Sequence, residues 1–85
     1  MYYIVFNSVT LATRVRNYFK YTGERVRLVH TPKSISKGGC SYSVIVEKHL
    51  VSKVAEVALE YGIKVLGVYK ETNDGFDEVN SYDIS

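Results

Sequence analysis

The chain has 85 residues, 46% hydrophobic and 24% charged, with one cysteine and a net charge of +2 at pH 7. That length suits one small globular domain whose core suffices without staples, and a lone cysteine excludes an internal disulfide, so a free thiol in the reducing cytoplasm is expected. No apolar run approaches the ~18 residues of a membrane span, and Met1 to Phe6 reaches polar Asn7 without a basic flank, so a soluble, untargeted protein is expected.

Tyr2 to Phe6 is a continuous apolar run rich in aromatic and β-branched residues, as in a central strand buried on both faces. Ser8 follows as a helix N-cap. Leu11, Ala12, Val15, Tyr18 and Phe19 then recur at the spacing of one helical stripe, leaving Arg14, Arg16, Asn17 and Lys20 to solvent. Gly23 supplies the left-handed residue that ends this helix, predicted over residues 8–22. Arg25 to His30 alternates, with Val26 and Leu28 on one face and Arg25 and Arg27 on the other, as a half-buried strand does.

Thr31 to Ser41 is the stretch that propensity and packing leave unexplained. It holds the only proline, the only cysteine, two of the six glycines and two lysines, between two predicted strands. Connections of this kind are where function concentrates, because the flanking scaffold positions them.

After it the plan repeats. Ser43 to Glu47 is an apolar strand, Leu50, Val51, Val54, Val57, Ala58 and Tyr61 form a second helical stripe over 49–61, Gly62 stops it, and Lys64 to Lys70 is a further strand. At an offset of 39, Val5 matches Val44, Leu11 matches Leu50, Val15 matches Val54, Gly23 matches Gly62 and Val26 matches Val65. Two such halves predict an α+β, ferredoxin-like βαββαβ domain over 1–70, with an antiparallel sheet of order 4-1-3-2 and both helices on one face. Residues 71–85 form an acidic C-terminal tail. Asn73-Asp74-Gly75 has hairpin chemistry, which leaves two alternatives: a short fifth strand over Phe76 to Val79 or a disordered segment, with 80–85 poorly ordered in both.

Charge is unevenly placed. From Glu71 onward there are five acids and no base, which leaves four acids against all 11 Lys and Arg in residues 1–70. An excess of seven positive charges suits an anionic partner; the alternative is that these side chains solvate helix faces.

The predicted topology sets the connection after the second strand beside the end of the first strand and the start of the first helix, so Cys40 is expected near Asn7, Ser8 and Val9. Free N–H groups and the dipole at that helix N-terminus favour an anion. Gly38 and Gly39 permit a tight turn, and Lys33, Lys37 and His30 add positive charge. Together these would lower the thiol pKa from its reference of about 8.5. The plainer alternative is a cysteine that packs as a small hydrophobe. Ser34 and Ser36 have no base at a recognisable spacing, one cysteine and two distant histidines make a poor metal set, and His49 belongs to the opposite end. No metal or cofactor is expected.

Tyr3-Ile4-Val5-Phe6-Asn7-Ser8 before a helix, followed by Val29-His30-Thr31-Pro32-Lys33-Ser34-Ile35-Ser36 and a Cys40 preceded by glycines, resembles the putative selenium/sulfur carrier protein-like domain over most of residues 2–70. The family's connection reads Pro-Thr-Pro, a basic residue, one further position, an aliphatic residue, Ser and soon a Cys-Gly pair. Thr31, Pro32, Lys33, Ile35, Ser36 and Cys40 match; His30 stands where the first proline is, Ser41 replaces the glycine, and the Pro-to-Cys spacing is one longer. The resemblance implies a carrier or accessory protein, not a stand-alone enzyme, that holds sulfur or selenium on Cys40 between a donor and an acceptor protein. Thr31, Pro32, Lys33, Lys37, Gly38, Gly39, Ser41 and Ser8 would surround the adduct.

Two other readings stay open. The uncovered sheet face, if apolar through Val29 and Tyr69, would serve as an interaction or homodimer module. Weaker is RNA binding by that face through Arg25, Arg27 and tyrosines, because Tyr42 to Val46 lacks the Gly-Phe-x-Phe pattern of RNA-recognition sheets; nucleic acid is therefore not the expected partner.

Overall fold

The structure is a computed structural model that describes residues 1–36 and 41–79. Its elements are β1 (Tyr2–Phe6), α1 (Val9–Thr22), β2 (Arg27–His30), β3 (Tyr42–Val46), α2 (Lys48–Glu60), β4 (Gly67–Thr72) and β5 (Gly75–Glu78). All pairings are antiparallel, in the order β2-β3-β1-β4-β5. This is the predicted ferredoxin-like arrangement with the fifth strand added beyond β4. The predicted boundaries were long by two residues at the start of β2 and three at the start of β4.

Local chemistry sets the helix ends. The Ser8 hydroxyl accepts the Leu11 N–H at 3.4 Å, and its carbonyl accepts Ala12 N–H at 3.0 Å, which caps α1. Gly23 closes it at φ 81°, where its N–H donates to the Lys20 carbonyl and Glu24 N–H donates to that of Phe19. Glu47 opens α2 without a side-chain cap, so that helix relies on its buried face of Leu50, Val51, Val54, Val57 and Ala58.

Both helices lie on one side of the sheet. Ala12, Val15 and Phe19 of α1 and the α2 face join Ile4, Phe6, Val44 and Val46 in one core. Phe6, Phe19, Ile4, Val15, Val44, Val46, Val51 and Val54 are almost wholly inaccessible, each worth about 1.5–3 kcal/mol relative to exposure.

The internal match needs one correction. Val44 faces the helices whereas Val5 belongs to the opposite sheet face, so these two are not equivalent. The like-facing pairs are Ile4 with Val44 and Phe6 with Val46, an offset of 40, while Ala12 with Val51 and Val15 with Val54 keep 39. The difference lies in the connections: Asn7 and Ser8 link β1 to α1, but Glu47 alone links β3 to α2. A one-residue change is absorbed in the link because within a strand it would turn every side chain over.

The acidic stretch begins inside β4 and turns back through Asn73 and Asp74, with Thr72 paired to Gly75. Gly75 takes φ 140°, which an L side chain resists, so glycine is needed at that position. Residues 80–85, where poor order is expected, lie outside the described residues.

Candidate functional site

The connection from β2 to β3 is held to the sheet on the side away from the helices. Thr31 and Ser43 are both buried, and their hydroxyls lie 2.7 Å apart. The Thr31 N–H donates to the Ser41 carbonyl at 3.0 Å, which extends the β2–β3 ladder one step past His30 and Tyr42. Pro32 then starts a single tight turn whose carbonyl accepts the N–H groups of Ile35 and Ser36 at 3.1 and 3.0 Å. That turn drives Ile35 onto the open sheet face, where it is 8% exposed and packs with Val5 and Tyr69. The Ser36 and Ser41 hydroxyl oxygens come to 3.4 Å, so these two residues meet at one point.

That point has a defined place. Tyr42 is the register partner of Phe6, so Ser41 stands level with Asn7, next to the Ser8 cap and the first turn of α1. The first turn of α1 has no acidic residue to oppose an anion. Lys33 is exposed on the Pro32 turn. Among the described residues it pairs with no carboxylate, since the ion pair there is His49 to Glu47 at 3.5 Å, at the far end of β3.

Of the residues singled out from sequence, Ser8, Thr31, Pro32, Lys33 and Ser41 therefore fall at one end of the sheet. Lys37, Gly38, Gly39 and Cys40 lie outside the described residues, and their expected roles are taken up below as a proposal. His30 ends β2 with its ring 4.6 Å from that of Tyr42, a cross-strand contact. His49 stands at the start of α2, as expected.

The sequence reading missed what anchors this segment. Ser43, Ile35 and Tyr69 were assigned no part in it, although Ile35, the one aliphatic side chain between Pro32 and Ser36, was the available signal. Tyr69, expected as part of an open apolar face, is only 8% exposed. Its ring covers Gly67, where an added Cβ would sit 2.9 Å from Tyr69 Cε1. Tyr3 meets Phe76 edge-on at 4.9 Å. The tyrosines of this face thus have intramolecular partners, which removes much of the stacking platform that RNA binding by the open face requires.

Among the described residues no group of three or more His, Cys, Asp or Glu could hold a metal, and no helix is long and apolar enough to cross a membrane. A family model described as "Putative Se/S carrier protein-like" matches residues 1–70, from β1 into β4 and including all of Thr31 to Ser41. No curated protein matches the chain, and no solved structure does.

Proposed function

The chain belongs to the Putative Se/S carrier protein-like family, and from that premise we propose that Cys40 carries sulfur or selenium as a persulfide-type adduct. The observation that carries this reading is that the family match spans the connection holding the chain's only cysteine. The geometry of the flanking residues supports it: Ser36 and Ser41 meet beside the α1 N-terminus, at a site with few competing negative charges.

The transfer is a simple exchange at sulfur. The Cys40 thiolate attacks the outer sulfur of a donor protein's persulfide; a new S–S bond forms from the Cys40 electron pair. The donor's S–S bond breaks, its pair leaves on the donor thiolate, and no outside oxidant is consumed. An acceptor nucleophile repeats the exchange and regenerates Cys40. Helix N–H groups, Lys33 and Lys37 stabilise the anionic thiolate and the anionic adduct, and Gly38 and Gly39 admit the donor. Cold cyanolysis tests this reading. Protein loaded by a persulfide donor and freed of small molecules should release thiocyanate, and Cys40→Ser should release none. Equal release from both would place the labile sulfur elsewhere and reject the proposal.

A further inference from the structure

The fifth strand lies beyond residue 70, where the family match ends, yet it is tied closely to the sheet. Tyr69 pairs with Glu78, Glu71 with Phe76 and Thr72 with Gly75, and Val79 N–H donates to the Val68 carbonyl at 2.8 Å. Asp77 and Glu78 are exposed, so Phe76, half-buried, is the one large apolar side chain that β5 brings. Its ring meets Tyr3 edge-on at 4.9 Å, and both rings pack against Val5, Ile35 and Tyr69 on the face away from the helices. The register explains the meeting: Tyr3 is directly opposite Tyr69 across β1 and β4, and Phe76 is diagonal to Tyr69 across β4 and β5, a separation that aromatic rings span.

Ile35 is the member of this cluster that comes from the connection. The hydrogen bonds of the Pro32 turn are internal to the turn, since the Pro32 carbonyl accepts the N–H groups of Ile35 and Ser36, so they shape the turn without fixing it to the sheet. The Thr31–Ser43 contact fixes its entry, and Ile35 on Val5 and Tyr69 fixes its far side. The helix-side core is a separate cluster, which β5 does not enter. Loss of the Phe76 ring therefore loosens the seat of the connection while leaving the packing of both helices in place.

We propose that Phe76 is a positioning residue for the transfer at Cys40, acting through Tyr69 and Ile35 to hold the connection in the placement that transfer needs. The inference rests on the carrier reading and adds to it a role for the β4–β5 hairpin.

The test compares the full chain with Phe76→Ala, with the conservative Phe76→Leu, and with Val57→Ala, which empties the helix-side core instead. Amide exchange at Ile35 and Ser36 should quicken about tenfold in Phe76→Ala, the effect of about 1.4 kcal/mol of easier local opening, and less in Phe76→Leu. The pH midpoint for alkylation of Cys40 by iodoacetamide should rise towards the reference of about 8.5 in Phe76→Ala, because a loosened connection gives the thiolate less of the α1 N-terminus and of Lys33, and Phe76→Leu should restore most of it. Val57→Ala should unfold at lower urea and keep the wild-type midpoint. Loading by a persulfidated cysteine desulfurase should be slower in Phe76→Ala than in the wild type. A wild type that takes up no sulfur defeats the carrier reading and this role with it. A wild type that loads, beside a Phe76→Ala that loads as fast or keeps the wild-type alkylation midpoint, overturns the inference alone. So does a Val57→Ala that raises the midpoint equally, since Phe76 would then act only through global stability.

Discussion

The Thr31–Ser43 contact is the tether most open to a quantitative test, because both hydroxyls are buried and 2.7 Å apart. Thr31→Val keeps the side-chain shape but leaves the Ser43 hydroxyl without this partner; Ser43→Ala does the reverse. Each single change should cost about 1–3 kcal/mol, the desolvation cost of a buried polar group deprived of its bond. Removing both ends strands neither, so the double variant should lose about 0.5–1.5 kcal/mol, the net worth of one such bond. With each single near 2 and the double near 1, the interaction energy is about −3 kcal/mol, and the double variant is more stable than either single. Urea unfolding of the four proteins at a common m value gives these energies. The melting temperatures of the single variants should fall by about 4–8 °C per kcal/mol for a domain of this size. Amide exchange at Thr31, whose N–H donates to Ser41, should quicken in the singles. Costs that simply add to within about 0.5 kcal/mol would refute the claim that this bond fastens the connection to the sheet.

Two further outcomes follow from neighbouring features. Gly67→Ala places a methyl 2.9 Å from the Tyr69 ring, which packs in one cluster with Val5 and Ile35; it should cost about 1–3 kcal/mol and alter the near-ultraviolet circular dichroism of tyrosine, and an unperturbed spectrum at full stability would show that the ring yields freely. If Cys40 stands near the α1 N-terminus as proposed, iodoacetamide should alkylate it in the native protein with a pH midpoint below about 8.5. Lys37→Glu should raise that midpoint and Lys53→Glu should not. Resistance to alkylation, or a midpoint above the reference value, would make Cys40 a packing residue.

Secondary structure and topology were legible in the sequence because periodicity reports them directly. The stripes Ala12-Val15-Phe19 and Leu50-Val54-Val57 can be buried only as helices, and the apolar runs between them need a sheet. The 39-residue match located both halves but set Val5 against Val44, since the shorter β3–α2 link cannot be seen until the strands are faced. The position of the connection beside Ser8 followed from topology. Its anchoring did not: a Pro-Lys-Ser-Ile-Ser segment has no period, and whether Ile35 faces solvent or Val5 depends on the open-face cluster, which is assembled from β1, β4 and β5 and has no local signature. The same holds for Tyr69, where alternation gives the side of the sheet but not the cover it finds there.

The central claim is that the sole cysteine holds the transferred atom, and intact-mass spectrometry after incubation with a cysteine desulfurase and cysteine tests it most directly. The wild type should gain the mass of one sulfur atom, lose it again on treatment with a reducing thiol, and pass it to an acceptor thiol, while Cys40→Ser stays at its starting mass. A wild-type protein that gains nothing under conditions where the desulfurase is itself persulfidated would contradict the account.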